Sequence, residues 1–165
     1  MGDWVVGTGS KQYGIDNRLV FFMEVAEVLT FDQYWNDPRF LQKQPELRGS
    51  IKQAFGDNIY HRNKKTGRWM QEDSHHSLPD GRTNTANVKH DTRVDRVLLG
   101  FDFAYWGKTG PKIPKRFLRD DVNLCKTGPG FKSRFPEKFV ERFTKWASSI
   151  PDRGYLGRPN EFSKL

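Results

Sequence analysis

The strongest apolar pattern in the chain runs from Leu19 to Leu29. Leu19-Val20-Phe21-Phe22-Met23 is continuously apolar, as in a strand buried on both faces. Glu24-Val25-Ala26-Glu27-Val28 alternates, as in a strand with one face in water. Trp4 to Thr8 is a shorter β-prone run, closed by the turn Gly7-Thr8-Gly9-Ser10. Thr30-Phe31-Asp32-Gln33 has the spacing of a capping box and predicts a short helix through about Trp35. Pro38 and Pro45 bracket a further short segment around Arg39-Phe40-Leu41. Strand character returns over Val94 to Gly100 and Phe101 to Trp106.

Helical periodicity is clearest near the C-terminus. From Pro136 to about Ser149, Phe139, Val140, Phe143, Trp146 and Ala147 make one apolar stripe, and Lys138, Arg142 and Lys145 lie away from it. Pro136 suits the first helical position and Pro151 stops the helix. Before it, Gly107 to Pro114 is rich in breakers, Lys115-Arg116-Phe117-Leu118-Arg119 predicts a helical turn or two, and Lys126 to Gly130 reads as a loop. Residues 56 to 92 are different. They hold few apolar side chains, several glycines and asparagines, and all four histidines. A loop region this long inside a domain is functional or disordered, and the embedded Tyr60 and Trp69 argue for function.

Composition narrows the class. At 165 residues the chain can bury a core without disulfides. Aromatics make up 14% of it, which excludes a mainly disordered chain. No apolar run approaches the roughly 20 residues of a membrane span, so no membrane partner is expected. The chain opens without a secretory leader and carries a single cysteine, Cys125, which predicts a reducing, cytoplasmic compartment and a buried structural thiol. The net charge is +8, and it is unevenly placed. Residues 1–107 hold 14 basic and 14 acidic side chains, whereas residues 108–165 hold 14 basic and 6 acidic. Such asymmetry points to a polyanion, most simply nucleic acid, with Arg116, Arg119, Arg142 and Lys145 expected to meet phosphates.

Candidate chemistry gathers in the polar region. His61, His75, His76 and His90 lie within 30 residues of one another, with Asp91 close by. Histidine supplies general acid–base chemistry near neutral pH, and His61, His75, His90 and Asp91 are the candidate catalytic residues. There is no His-x-Asp, no His-Glu-x-x-His and no cysteine pair, so no metal site is assigned, and no pattern identifies a cofactor or an oligomeric state. Flat rings interleaved with amides suit a nucleobase, which must be stacked and read along its polar edge. Tyr34, Trp35, Asn58, Tyr60 and Trp69 are the candidates, with Thr8 and Ser10 offering hydroxyls from their turn; Trp4 and Trp106 are assigned to the core. His61 and His90 are expected to meet near Tyr60 and that turn, if a strand at Asn58 to Tyr60 lies beside the strand from Val94.

These residues also carry a family resemblance. Gly2-Asp3-Trp4-Val5-Val6-Gly7-Thr8-Gly9-Ser10, then Glu27-Val28-Leu29-Thr30-Phe31 running into Tyr34-Trp35-Asn36-Asp37-Pro38-Arg39-Phe40, resemble the second nucleotide-modification-associated domain family. Gly56-Asp57-Asn58-Ile59-Tyr60-His61, the His75 to Ser77 segment, His90-Asp91-Thr92, Asp95-Arg96-Val97-Leu98 and Asp102 to Gly107 extend the likeness to about residue 115. The resemblance implies a role around modified nucleotides in phages or bacteria, without an established reaction. It also implies a further strand and helix ahead of the Gly-Asp-Trp motif, where this chain has Met1. The opening is similar, too, to the PUA-type barrels that read modified bases in a pocket.

Together these readings predict an α+β fold. A small, strongly bent or barrel-like mixed sheet occupies residues 1–107, and a basic helical appendage occupies residues 108–165 with its helix at about 136–149. The expected function is nucleic-acid or nucleotide binding for recognition or modification of a nucleobase. An enzyme using histidine acid–base chemistry on a nucleotide, and a protein-interaction module with a basic face, are the alternatives.

Overall fold

The apolar run that begins at Leu19 becomes the inner strand of an open sheet. In this computed structural model, which describes residues 1–119, 122–128 and 130–159, the chain is of mixed α+β type. The strands are β1 (Trp4–Thr8), β2 (Leu19–Glu24), β3 (Glu27–Leu29), β4 (Tyr60–Arg62), β5 (Trp69–Gln71), β6 (Val97–Leu99), β7 (Phe103–Tyr105), β8 (Leu118–Arg119), β9 (Val122–Asn123) and β10 (Gly154–Tyr155). The α-helices are α1 (Phe31–Asn36), α2 (Ile51–Ala54), α3 (Thr85–Asp91) and α4 (Glu137–Ser148). The chain forms two compact units, one from Met1–Ala26 with Gly100–Leu165 and one from Glu27–Leu99.

The first unit is built on a four-stranded sheet of order β1-β2-β7-β10. β2 pairs antiparallel with both β1 and β7, and β10 adds to β7 in parallel. Leu19 and Phe22 of β2 are fully buried in one core with Ala104, Trp106, Ile113, Phe117, Phe139, Phe143 and Ala147. The last three come from α4, so the helix that the sequence predicts docks through the predicted stripe. Val140 is the exception in that stripe and is exposed. It follows Phe139 by only about 100° around the helix, which turns it towards the stripe's edge. The compositional break at residue 107 is a break in charge, and it falls inside this unit. Residues 120, 121, 129 and 160–165 of the predicted extension lie outside the described residues.

The sheet is not the barrel that the sequence suggests. Among the described residues none of the sheets closes, and the four-stranded one keeps β1 and β10 as open edges. Strands of two to six residues in a set of four give too little length and tilt to complete a ring. The run from Leu19 to Leu29 is also broken. It divides at Val25-Ala26 into β2 and β3, which belong to different sheets and different units. Val25 is buried and exchanges backbone hydrogen bonds with Gly2 and Asp3, so its polar groups leave the ladder of β2.

The second unit is a single segment whose first and last strands pair, with Glu27 opposite Leu99. α1 begins at the predicted capping box: Gln33 N donates to Thr30 Oγ1 at 3.1 Å, and Thr30 N donates to Gln33 Oε1 at 2.8 Å. Arg39 donates to Glu27 and to Asp37 and so ties β3 to the 3-10 turn over Pro38–Lys43. Those bonds hold both carboxyls below the usual carboxylate range. β4 and β5 form a hairpin. No helix among the described residues is long and apolar enough to cross a membrane.

Removing a buried ring at the α4 contact leaves a cavity, at a typical cost of ~3–5 kcal/mol. Phe143→Ala is therefore expected to lower the free energy of unfolding by about that amount, while Arg142→Ala, on the exposed side of the helix, changes it by less than about 0.5 kcal/mol. Urea denaturation of both variants makes the comparison, and a neutral Phe143→Ala contradicts the docking.

Candidate functional site

The rings and amides of the polar region divide into a braced interior and an open groove. Tyr34 is buried, donates from its hydroxyl to Asp57 Oδ1 at 2.8 Å and packs its ring 4.7 Å from Phe40. Asn58 is 1% exposed and donates to the carbonyls of Tyr34 and Phe40, which fixes the end of α1 against the next turn. Its Oδ1 has no hydrogen-bond partner among the described residues. Trp69 meets Phe31 edge-on at 5.6 Å, and the Arg62 guanidinium covers its ring at 4.0 Å. These three expected ligand contacts are thus engaged within the unit.

Trp35 and His61 face a different environment. Their rings stack at 4.2 Å and 17°, and His61 Nε2 lies 2.7 Å from Glu72 Oε1. Together with Asp32, Asn36, Arg62 and Asn63 they line an open groove of about 570 Å³. Arg62 is positioned from two sides, its backbone N–H donating to Asp32 Oδ1 at 2.6 Å and its side chain reaching Asp95. The groove therefore offers an aromatic wall, side-chain amides and a guanidinium.

A second constellation forms around Tyr60. Its hydroxyl, on a buried ring, donates to Asp91 Oδ2 at 2.6 Å. His76 Nδ1 approaches the same carboxylate oxygen at 3.0 Å. Gln71 donates to the Tyr60 hydroxyl and to the His76 carbonyl, which also accepts from Asn87. Burial, and then the bond to Asp91, push the Tyr60 phenol well above its ordinary value of 10.0. Tyr60 is consequently a donor and not a base near neutral pH. His76 is thus held at Nδ1, with the His75 ring edge-on to it at 4.4 Å, and no hydrogen bond of its Nε2 is found among the described residues.

Sequence reasoning named Asp91 and Tyr60 but passed over His76 in favour of its neighbour. His75 is exposed, with its ring 5.0 Å from Phe55. His90 is exposed in the last turn of α3, and the described contacts do not join it to His61. The strand pairing behind that expectation is different: β4 pairs with β5, and β6 pairs with β3. The chain between them supplies a hairpin partner nearer in sequence, which closes at lower entropic cost.

The remaining candidates belong to the first unit. Ser10 caps a 3-10 turn by accepting from Gln12 N, and Gly9 N donates to Arg18 O, so polar groups of the Gly7 to Ser10 turn are engaged by neighbouring parts of the chain. A Cβ at Gly9 would fall 1.8 Å from the Ile15 carbonyl oxygen, which explains the glycine. Thr8 lies at a bulge in β1 and contacts Cys125, a half-buried thiol that burial pushes up. Arg116, Arg119 and Arg142 come together. They line one cleft of about 150 Å³ with Lys138, which sequence reasoning placed on the correct helix face but did not select. Lys145 is exposed on α4 and does not line that cleft. None of the four cleft cations is ion-paired among the described residues. The described residues hold no group of three or more His, Cys, Asp or Glu placed to bind a metal ion.

The raised Tyr60 group gives an alkaline signature. The phenol stays protonated in the folded chain while unfolded chains ionise, so its contribution is present below about pH 10 and is lost as pH rises beyond it. Tyr60→Phe is expected to flatten the fall of the melting temperature between pH 9 and about 11. An equally steep fall in the variant contradicts the assignment.

Neither a curated protein nor a solved structure matches the chain. The family model described as nucleotide modification associated domain 2 matches residues 1–165, the whole chain.

Proposed function

The chain belongs to the nucleotide modification associated domain 2 family, and from that premise we propose that it binds nucleic acid through the basic cleft of its first unit, in the service of recognising or modifying a nucleobase. One observation carries this reading. Three arginines and a lysine, from the turn at Lys115–Phe117, from β8 and from α4, converge on a single cleft. Like charges without an ion-pair partner among the described residues repel, although Arg116 also lies over the Phe117 ring and Arg142 donates to the Lys138 carbonyl. Phosphates resolve the repulsion, and arginine meets a phosphate through two parallel hydrogen bonds. The Trp35–His61 groove of the second unit supports the nucleobase part, since a ring wall with amides and a guanidinium suits a flat heterocycle.

Release of counterions makes such binding salt-dependent, with log K falling by about 0.9 per decade of salt for each duplex phosphate neutralised. Replacing Arg116 and Arg142 together with alanine is expected to flatten the slope by about 2, and Lys145→Ala by less. Fluorescence anisotropy with a labelled duplex across a salt series measures this. An unchanged slope in the double variant removes the cleft from the interface.

A second reading is favoured by the pairing of His76 Nδ1 with Asp91. A histidine oriented by a carboxylate at Nδ1 is arranged for general acid–base work on a nucleotide or a base in DNA. Under this reading His76→Ala and Asp91→Asn each lower kcat for a nucleotide substrate at least a hundredfold, the low end for a lost acid or base. His76→Ala does so with the melting temperature unchanged, and full turnover in either variant rejects it.

A further inference from the structure

The basic cleft has a neighbour in the same unit. Phe139, which lines the cleft, also borders a cavity of about 370 Å³ between β1, α4 and the segment after β9. We propose that this cavity receives one unstacked base of a single nucleic-acid strand whose phosphates lie in the basic cleft, with Phe131 stacking on that base at the mouth. The inference rests on the proposed nucleic-acid binding and adds the form of nucleic acid that is bound.

The lining decides the occupant. The volume falls in the range typical of small-ligand pockets, about 300–1,000 Å³. Trp4, Phe131 and Phe135 supply flat apolar walls. Thr8 and Thr144 also line the cavity; their hydroxyls bond to Cys125 and to the Glu141 carbonyl, and their oxygens keep acceptor capacity for a polar edge. Phe131 is 84% exposed, which leaves nearly a whole ring in water. Its sequence neighbours on this segment, Lys126, Lys132 and Arg134, are cations. An exposed ring among cations is the pattern of a surface that stacks bases while tracking a phosphate backbone. An apolar ligand without charge would have no use for the cations of the cleft that Phe139 also lines. A duplex keeps its bases stacked and could fill the cleft alone. The strand with an unstacked base satisfies both hollows at once.

Anisotropy titrations of a labelled single-stranded DNA and of its duplex, with wild type, Phe131→Ala and Phe131→Trp, test this. Because Phe131 is exposed, its truncation leaves the fold intact, and a thermal melt verifies that. Base–aromatic stacking translates to about a 5- to 150-fold effect on affinity. Phe131→Ala is expected to weaken the single strand by that factor while duplex affinity and the salt slope stay unchanged, and Phe131→Trp to retain binding. A strand carrying 2-aminopurine is expected to lose fluorescence on wild type and to keep it on Phe131→Ala. Equal affinity of wild type and Phe131→Ala for the strand overturns the inference and leaves the proposed function standing, as does equal weakening of strand and duplex. Binding of a free mononucleotide as tightly as the strand also overturns it. A wild type that binds neither strand nor duplex removes both readings.

Discussion

Phe117 holds together the arrangement on which the basic cleft depends. Its buried ring meets Phe139 at 5.6 Å, Phe143 at 5.5 Å and Trp146 at 5.4 Å. The residue before it is Arg116, whose guanidinium lies 4.8 Å over the same ring, and β8 with Arg119 follows directly. On the other side of the contact α4 carries Lys138 and Arg142. Repulsion between solvated unit charges is about 1 kcal/mol at 4 Å, and each such ring contact adds about 0.5–1.5 kcal/mol to the burial itself. Packing therefore outweighs charge, and the cations are brought together by contacts among apolar side chains.

The second unit solves a different problem. It has few apolar residues between Gly56 and Thr92, and its interior is correspondingly polar. Tyr34, Tyr60 and Gln71 are buried with their polar ends bonded to carbonyls or carboxylates, and Asn58 is bonded through its Nδ2 alone. Such side chains stabilise only when satisfied, so they specify one geometry more sharply than an apolar core of the same size. The same amide and tyrosine content thus serves as bracing at most positions and as an open surface only around Trp35 and His61.

What the sequence revealed follows from how local each signal is. α4 was legible because twelve residues repeat one face, and the start of α1 because a capping box is complete within four residues. β2 was legible from its apolar run, but its end was not, since Val25 leaves the ladder for bonds to Gly2 and Asp3 on a distant part of the chain. Three-residue strands such as β4 and β6 are too short to show a period, so their pairing with β5 and β3 has no signature in the sequence. Charge pointed to the last third of the chain, where Arg116, Arg119 and Arg142 share one cleft. Lys138 and Lys145 are equivalent by composition, and what separates them is that Lys138 lines the cleft and Lys145 does not. His75 and His76 differ by one position, and which ring meets Asp91 depends on a turn that no pattern announces.

The paired ends of the second unit have a consequence for assembly of the first. β2 and β7 must meet across a connecting segment of more than seventy residues, 27–99. Closing a flexible loop of that length costs entropy that grows with the logarithm of its length. Once Glu27 and Leu99 are opposite one another, the effective connection shrinks to a few residues, a saving of roughly 2–3 kcal/mol. On the ribosome the inserted segment emerges whole before Phe103 does, and it contains all of its own strand partners. The insertion then acts as a clasp for the sheet that flanks it, turning its most distant strand pairing into a nearly local one.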